Sequence, residues 1–278
     1  MDPCSPVDVL IPTADRPAEL AVTLAGLAAQ QDADFDVVVS DQSLGDAAAW
    51  NPAVQAMVRV LETQGRSVRI VRHLPRRGLA EQRAFLLAQS RAETVLFLDD
   101  DVWLEPDAVP TLARALEGLG CGFVGMAPQG LSYTDDVRPH EHEPFEVWDG
   151  PVVPESVRPG TAAFGRWTLH NAANLTHIAA DLRIPRGDWI AYRVAWVGAC
   201  VLYRRDALVS VGGFEFWGDL PADHAGEDVV AQWRVMERFG GAGLLPSKAV
   251  HLESPTTIPN REVDAVQAVF GAQPVPSS

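Results

Sequence analysis

The chain has 278 residues, enough to bury a sizeable core as one large domain or two small ones, and its 47% hydrophobic and 21% charged residues are those of a globular protein. A formal net charge of −15 argues against nonspecific binding to nucleic acid or to an anionic membrane surface; a polyanionic ligand needs a metal ion or a local arginine cluster. The cysteines, Cys4, Cys121 and Cys200, form no CxxC pair, which indicates neither a disulfide framework nor a zinc site, and the last two lie in apolar stretches as packing residues.

The chain enters a strand almost at once, "VDVLIP" (7–12), with no basic region or apolar leader before it, so no signal peptide is expected. "RPAELAVTLAGLAAQQ" (16–31) is a helix with proline in its first turn, and "FDVVVS" (35–40) a second strand. A helical stretch near 46–63, a strand "VRIVR" (68–72), a helix "LAEQRAFLLAQSR" (79–91) and a strand "TVLFL" (94–98) follow. A helix near 106–118 and a strand near "CGFVGM" (121–126) complete the first half. Apolar runs without polar alternation suit strands covered on both faces, and strands alternating with helices give a parallel sheet with right-handed crossovers. Ligands of such sheets sit beyond the carboxyl ends of the strands, where "DQS" (41–43) and "DDD" (99–101) both fall.

From about 128 to 190 the periodicity dissolves into a segment rich in proline, acids and aromatics, a length of structureless chain that is uncommon unless functional. Order resumes at "YRVAWVGACVLYRRDAL" (192–208) and "VGGF" (211–214), then a helix across "GEDVVAQWRVMERFG" (226–240) and a short strand before "KAVHLE" (248–253). The tail "GAQPVPSS" reads as frayed. No apolar run approaches the roughly 18 residues of a membrane-spanning helix, so the expectation is a soluble cytoplasmic protein that is not integral to a membrane. The whole is treated as one domain in two halves, 1–127 and 128–262, with a C-terminal tail at 263–278.

The aspartate triplet raises the first chemical question, because adjacent like charges repel. A divalent cation sustains such a cluster with oxygen ligands, bridges a diphosphate and neutralises a leaving group, and Asp99 and Asp101 have the DxD spacing of such sites. Taken alone, the triplet is explained equally well by a solvated acidic turn capping the next helix. Glu227 and Asp228 of "GED" stand at a helix start, where the macrodipole favours acids; the functional reading makes one of them a general base for an acceptor hydroxyl. His251 in "AVHLE" is by itself a structural histidine or a metal ligand. "HEHE" (140–143) sits in a proline-rich loop and reads as a solvated charged turn before a metal site, and "NLT" (174–176) fits a glycosylation sequon that has no use in a cytoplasmic chain.

In order, "IPTADRP", "VVVSDQS", "RGLAEQRAFLLAQS", "VLFLDDDVWLEPDAV", "WVGACVLYRRDALVSVGGF", "GEDVVAQWRVMERFG" and "AVHLE" span roughly residues 7 to 253 and resemble the family 2 glycosyltransferases of the GT-A fold. The resemblance implies an α/β fold: a Rossmann-like nucleotide-sugar-binding half with a mostly parallel central sheet, and a mixed acceptor-binding and catalytic half. It implies that Pro12, Thr13, Asp15 and Arg16 lie in the first strand-to-helix loop, which holds the nucleotide base. Asp41 would meet the base or ribose, Arg83 would face the nucleotide, and Asp100 would touch the ribose. Asp101, with Asp99, would ligate a divalent metal, Mn2+ or Mg2+, and His251 would complete that site or the diphosphate site. Asp228 would be the catalytic base, Glu227 its neighbour, and Arg234 matches an arginine common in the family. The implied reaction is transfer of a sugar from a nucleotide-diphosphate sugar, most often a UDP-sugar in this family, to an acceptor with inversion; a retaining mechanism stays open. The acceptor, a glycan, a lipid-linked glycan, a small metabolite or a peptide, is not specified. Trp196, Gly198 and Trp217 are the candidates to meet it, and the 128–190 segment and the 214–225 loop are expected to order over the site. No nucleic-acid partner is implied, and a homodimer is left open.

The sequence also departs from the family pattern. Ala14 stands where members often carry an aromatic, "HLPRRGLAEQR" lacks the asparagine before glycine and leaves Arg76 and Arg77 without a fixed role, and Gln232, Trp233 and Arg234 preserve only "QWR" of the processive synthases' QxxRW. The alternatives are a phosphohydrolase of the haloacid-dehalogenase type, since "LFLDDDV" fits its strand-end nucleophile motif, and a non-catalytic nucleotide-sugar-binding protein.

Overall fold

The apolar, β-branched run at 7–13 must be buried on both sides, because Val9 and Ile11 point one way and Leu10 the other and none is exposed. The computed structural model, which describes residues 7–130, 135–170, 172–257 and 263–271, places this run as strand β1 (Val7–Thr13) near the centre of a sheet. Helix α1 (Pro17–Ala28), β2 (Phe35–Asp41), α2 (Pro52–Thr63), β3 (Val68–Arg72), α3 (Leu79–Gln89) and β4 (Thr94–Leu98) follow as strand–helix alternations. Next come β5 (Val102–Leu104), α4 (Ala108–Leu119), β6 (Phe123–Gly125) and β7 (Gln129–Gly130). The later chain contributes α5 (Ala172–Leu182), β8 (Ile190–Tyr192), β9 (Cys200–Arg204), α6 (Arg205–Ser210), β10 (His224–Ala225) and α7 (Glu227–Phe239). It ends in β11 (Gly241–Leu245), β12 (Ala249–His251), β13 (Val263–Asp264) and α8 (Ala265–Phe270).

Among the described residues the main sheet runs β3-β2-β1-β4-β9-β6-β11-β8, with β8 and β9 antiparallel to their neighbours and the other strands codirectional. The central sheet is mostly parallel, as expected, and mixed on one side. The reason is local: β9 is reached from the long 128–199 excursion and not by a helical crossover, so it enters between β4 and β6 from the opposite end. Helices α1, α2 and α4 cover one face through Leu20, Leu24, Leu61 and Leu112, while α3 and α7 cover the other through Leu86, Val230 and Trp233. Cys121 and Cys200 are buried free thiols, pushed up to about 11 and about 12 by burial, as packing cysteines should be.

Helices also occupy places where the sequence shows no period. A 3-10 turn over Ala162–His170 leads to α5 inside the proline-rich segment, and α8, capped by Asp264 accepting from the Val266 amide at 2.8 Å, falls in the expected tail. The 3-10 turn and α8 are too short for a hydrophobic period to stand out from their surroundings. Cys4 and all of "GAQPVPSS" beyond Gly271 lie outside the described residues. A second small sheet matters more for the site: β12 pairs antiparallel with β5 and parallel with β7, placing His251 opposite Val102, the residue after the triplet. No helix among the described residues is long and apolar enough to cross a membrane.

Candidate active site

The triplet leaves β4 where the sheet ends, and the three carboxylates diverge into different environments. Asp100 turns inward: its Oδ2 accepts from the Thr13 hydroxyl at 2.6 Å, its Oδ1 from Arg16 Nη1 at 3.2 Å, and its carbonyl from Thr23 at 2.7 Å. Burial, reinforced by Asp101 and Asp99, pushes its carboxyl up to about 7 against the pull of Thr13 and Arg16. Asp101 Oδ2 accepts from the same Arg16 nitrogen at 2.8 Å and lies 3.7 Å from His251 Nε2; burial and then Asp99 raise its pKa. Asp99 is the most exposed of the three, and its Oδ1 accepts from Arg83 Nη2 at 2.9 Å.

Arg83 joins the two expected constellations. It is 4% exposed, and its Nε donates to Glu227 Oε1 at 3.1 Å while Nη2 holds Asp99. Burial opposes its charge, but Asp99, Glu227 and Asp228 together hold it firmly protonated. Glu227 is 3% exposed, and burial and the adjacent Asp228 raise its pKa. Asp228 Oδ1 accepts from the Val229 amide at 2.9 Å; its second oxygen has no hydrogen bond among the described residues. Burial raises Asp228 as well, opposed by Arg83 and His170 and reinforced by Asp99. Gly226, with φ +85, provides the left-handed residue that starts α7 here.

Two cavities meet at these groups. The first, of about 330 Å³, is lined by Pro12, Thr13, Arg16, Gln82 and the triplet. The second, of about 500 Å³, is lined by Arg83, His170, Trp196, Gly198, Glu227 and Asp228. Leu79, Asp99 and His251 line both, so one continuous groove runs from the β1 loop to the start of α7.

The other expected residues divide clearly. Asp41 lines neither cavity: it is fully buried, and its oxygens accept from the Ser43 and Ala48 amides at 2.8 and 2.7 Å, so it shapes the loop after β2. Asp15, at φ +58, also binds that loop through the Leu44 amide at 2.9 Å, and it pairs with Arg76. Arg76 is thereby held to Asp15 and the Gln42 carbonyl, away from the triplet, and Arg77 is exposed. Trp217, in the 3-10 turn Glu215–Asp219 that packs on α3, lies against the second core and lines neither cavity. Arg234 lies over the Phe216 ring at 5.2 Å. "HEHE" is a bonded turn: Asn174, fully buried, joins His142 at 3.1 Å and Glu141 at 2.7 Å.

Sequence reasoning missed two contributions. His170 lines the second cavity beside Trp196, with ring centroids 5.2 Å apart, and burial lowers its pKa against the influence of Asp228. It sits in the segment without period, where no signal separated it from other polar residues. The "QW" left over from the incomplete motif is a clamp. Gln232 accepts from the Val197 amide at 2.8 Å and donates to the Val197 carbonyl at 2.7 Å, while Trp233 Nε1 donates to Ala195 at 2.8 Å. Together they fix the 195–198 loop, with Trp196, to α7.

Among the described residues no three His, Cys, Asp or Glu side chains converge as a ready cation site. Chemically the groove nevertheless fits a hard divalent ion. Asp99, Asp100, Asp101, Glu227 and Asp228 surround two guanidinium groups, and Asp99 Oδ2 and Asp101 Oδ1 have no hydrogen bond among the described residues. One or two carboxylates, completed by substrate phosphates and water, are what Mg2+-like ions commonly take. His251 fits less directly: its Nδ1 accepts from the Glu253 amide at 2.8 Å, so the neutral ring carries its proton on Nε2, toward Asp101.

No curated protein sequence matches the chain. Among solved structures, residues of S. aureus TarS 1-349 in complex with UDP-GlcNAc superpose with TM-score 0.55 at 16% identity, over 91% of this chain and 60% of that one. A second TarS structure gives 0.54 at 15%, over 90% of this chain and 37% of that one. The mannosyltransferase PcManGT from Pyrobaculum calidifontis, in complex with GDP-Man and Mn2+, gives 0.51 at 18%, over 91% and 58%. The chain thus spans about 60% or less of these proteins, and at such identities the likeness establishes the GT-A fold alone. The sequence itself carries the assignment further: residues 8–179, which include all of β1 but Val7, the triplet and the 3-10 turn bearing His170, match the Glycosyl transferase family 2 description, and the chain belongs to that family.

Proposed function

We propose that the protein transfers a sugar from a nucleoside-diphosphate sugar to an acceptor hydroxyl with inversion at the anomeric carbon, dependent on a divalent cation. The observation that carries this reading is the continuity of the two cavities at Asp99, with the triplet on one side and Asp228 on the other. Thr13, Arg16 and Asp100 frame the nucleotide end, and Asp99 and Asp101 would hold Mn2+ or Mg2+. When bound, that ion supplies electrostatic stabilisation of the departing diphosphate. His251, with Nε2 3.7 Å from Asp101, would complete the metal or diphosphate site. Asp228 accepts the proton of the acceptor hydroxyl as its oxygen bonds to the anomeric carbon; the carbon–phosphate-oxygen bond breaks and its electron pair leaves on the nucleoside diphosphate. Arg83 keeps Asp99 and Glu227 from repelling each other and so holds both carboxylate groups in register with Asp228. UDP is the proposed nucleotide: the TarS structure contains UDP-GlcNAc, while the PcManGT structure, with GDP-Man, makes GDP the competing choice. Family membership displaces the phosphohydrolase alternative, whose nucleophile would be an Asp99 that is here paired with Arg83.

The test is a thermal-shift panel of UDP, GDP and their sugars with Mn2+ or EDTA, followed by measurement of nucleoside diphosphate released from the best donor. A Mn2+-dependent shift with UDP, and slow release of UDP from a UDP-sugar, are expected. Equal shifts with and without Mn2+, or no release from any donor, would overturn the reading.

A further inference from the structure

Past Asp228 the groove continues into a third cavity of about 790 Å³, and Trp196, Ala225, Gly226 and Val229 line both it and the second cavity. Behind this throat the wall is aromatic. Phe164 lies 6.4 Å from Trp196 and 6.1 Å from Trp233, and Trp233 lies 5.9 Å from Phe270, separations typical of interacting rings. Its charges are already engaged. Arg158 covers Phe270 at 3.9 Å while pairing with Glu237 at 2.7 Å, and Asp264 is occupied in capping α8. A phosphate or carboxylate entering here meets no uncommitted cation among the described residues and faces Asp264. Gly226 at the throat is held at φ +85, a conformation that favours glycine, and Asp264 and Val266 lie within ordinary contact distance of its Cβ position. A volume of this size suits a small organic ligand and not a bare hydroxyl.

We propose that this third cavity binds a neutral, planar aromatic group carried by the acceptor, which presents its hydroxyl past Trp196 to Asp228. The proposal rests on the transferase reading and adds the class of acceptor to it. The aromatic wall favours ring faces over flexible alkyl chains, and the engaged charges exclude anionic acceptors.

The probes are 2-naphthyl, octyl and methyl β-D-glucoside, which share a sugar and differ only in aglycone, titrated calorimetrically into the full chain with UDP and Mn2+. The naphthyl glucoside should bind at least about tenfold more tightly than the methyl glucoside, as expected for burial of an aromatic group. Val266→Trp, which fills the cavity, should cut that ratio to about threefold or less. Phe270→Ala, which removes one ring from the aromatic wall, should lower it in the same direction and serves if the first variant does not fold. Equal binding of naphthyl and methyl glucosides, tighter binding of the octyl glucoside, or a ratio unchanged in a folded variant would overturn the proposal. The two readings fail separately: a naphthyl preference in a chain that releases no nucleotide refutes the transferase assignment, whereas nucleotide release without that preference refutes the aromatic acceptor.

Discussion

Replacing Arg83 with methionine keeps the length and apolar stem of the side chain and removes the guanidinium that stands between Asp99 and Glu227. Stranding a buried charge by deleting its partner costs about 3–5 kcal/mol. For a chain of this size about 1 kcal/mol moves the melting temperature by about 2 °C, so the metal-free variant should melt roughly 6–10 °C below the parent at pH 8. The pH dependence gives the stricter check. Burial and Asp228 already hold the folded pKa of Glu227 above its unfolded value, and Arg83 is the group that opposes them. Without it the folded pKa rises further, the folded state binds the extra proton, and stability is lost as pH climbs through that window. The deficit should therefore shrink on acidification, by up to about 1.4 kcal/mol per pH unit for the one proton involved. Adding Glu227→Gln to the variant removes the stranded charge and should restore at least half of the loss. Circular dichroism melts in EDTA at pH 6 and pH 8 decide the matter. A deficit that is the same at both pH values, or is untouched by Glu227→Gln, would refute the role given to Arg83.

Asp228→Asn should lower sugar transfer by about 10²–10⁴-fold, the usual worth of a general base, while the UDP–Mn2+ thermal shift remains; loss of both would make Asp228 a structural residue. Because burial raises Asp228, the parent's rate should climb with pH along a limb lying above the ordinary carboxylate range, as the base must be ionised to act. Arg83, Asp99, Glu227, Tyr203 and His170 are the titratable groups around it; Arg83 and, less strongly, His170 lower its pKa, and His170→Ala removes the second of these, so the limb in that variant should move to higher pH. Asp101→Asn should abolish the Mn2+ dependence of the UDP shift, read by titrating Mn2+ at fixed UDP; an unchanged midpoint would place the ion elsewhere. Gly78→Ala combines φ +100 with a Cβ 2.5 Å from His224 Cε1, and should destabilise the fold by roughly 1–3 kcal/mol, measured in urea.

The first half of this architecture was legible because its signals are long and repeated. Seven-residue apolar runs and helices of eleven or twelve residues leave a clear period, and the strand ends at 68–72 and 94–98 coincide with the sequence reading. The acidic cluster was legible for a different reason: three adjacent carboxylates have an electrostatic cost that demands a partner. What the cluster's partners are was not legible. That Arg16 spans Asp100 and Asp101, or that Arg83 reaches Glu227 across 144 positions, depends on side chains meeting from distant elements. Asp41 looked like a ligand residue by its place at a strand end, yet its carboxylate is consumed by two amides of its own loop. His170 and α8 lie in short elements between prolines and glycines, where a six-to-nine-residue helix leaves no period to detect.

The antiparallel entry of β9 between β4 and β6 has a mechanical consequence. The carboxyl end of β4 and the amino end of β9 lie side by side, tied by the Asp99 amide to the Ala199 carbonyl at 2.9 Å. Trp196 and Gly198 are thus spaced from the triplet by a ladder of adjacent strands and not by the length of chain between Asp101 and Trp196. Lengthening or rebuilding the excursion before β8 changes what reaches the groove while the span between the triplet and the 196–198 loop stays the same. Slipping β9 by a single residue would do the reverse: with the loop sequences unchanged it would shift Trp196 and Gly198 by about 3.3 Å against Asp99, more than the proposed in-line displacement tolerates.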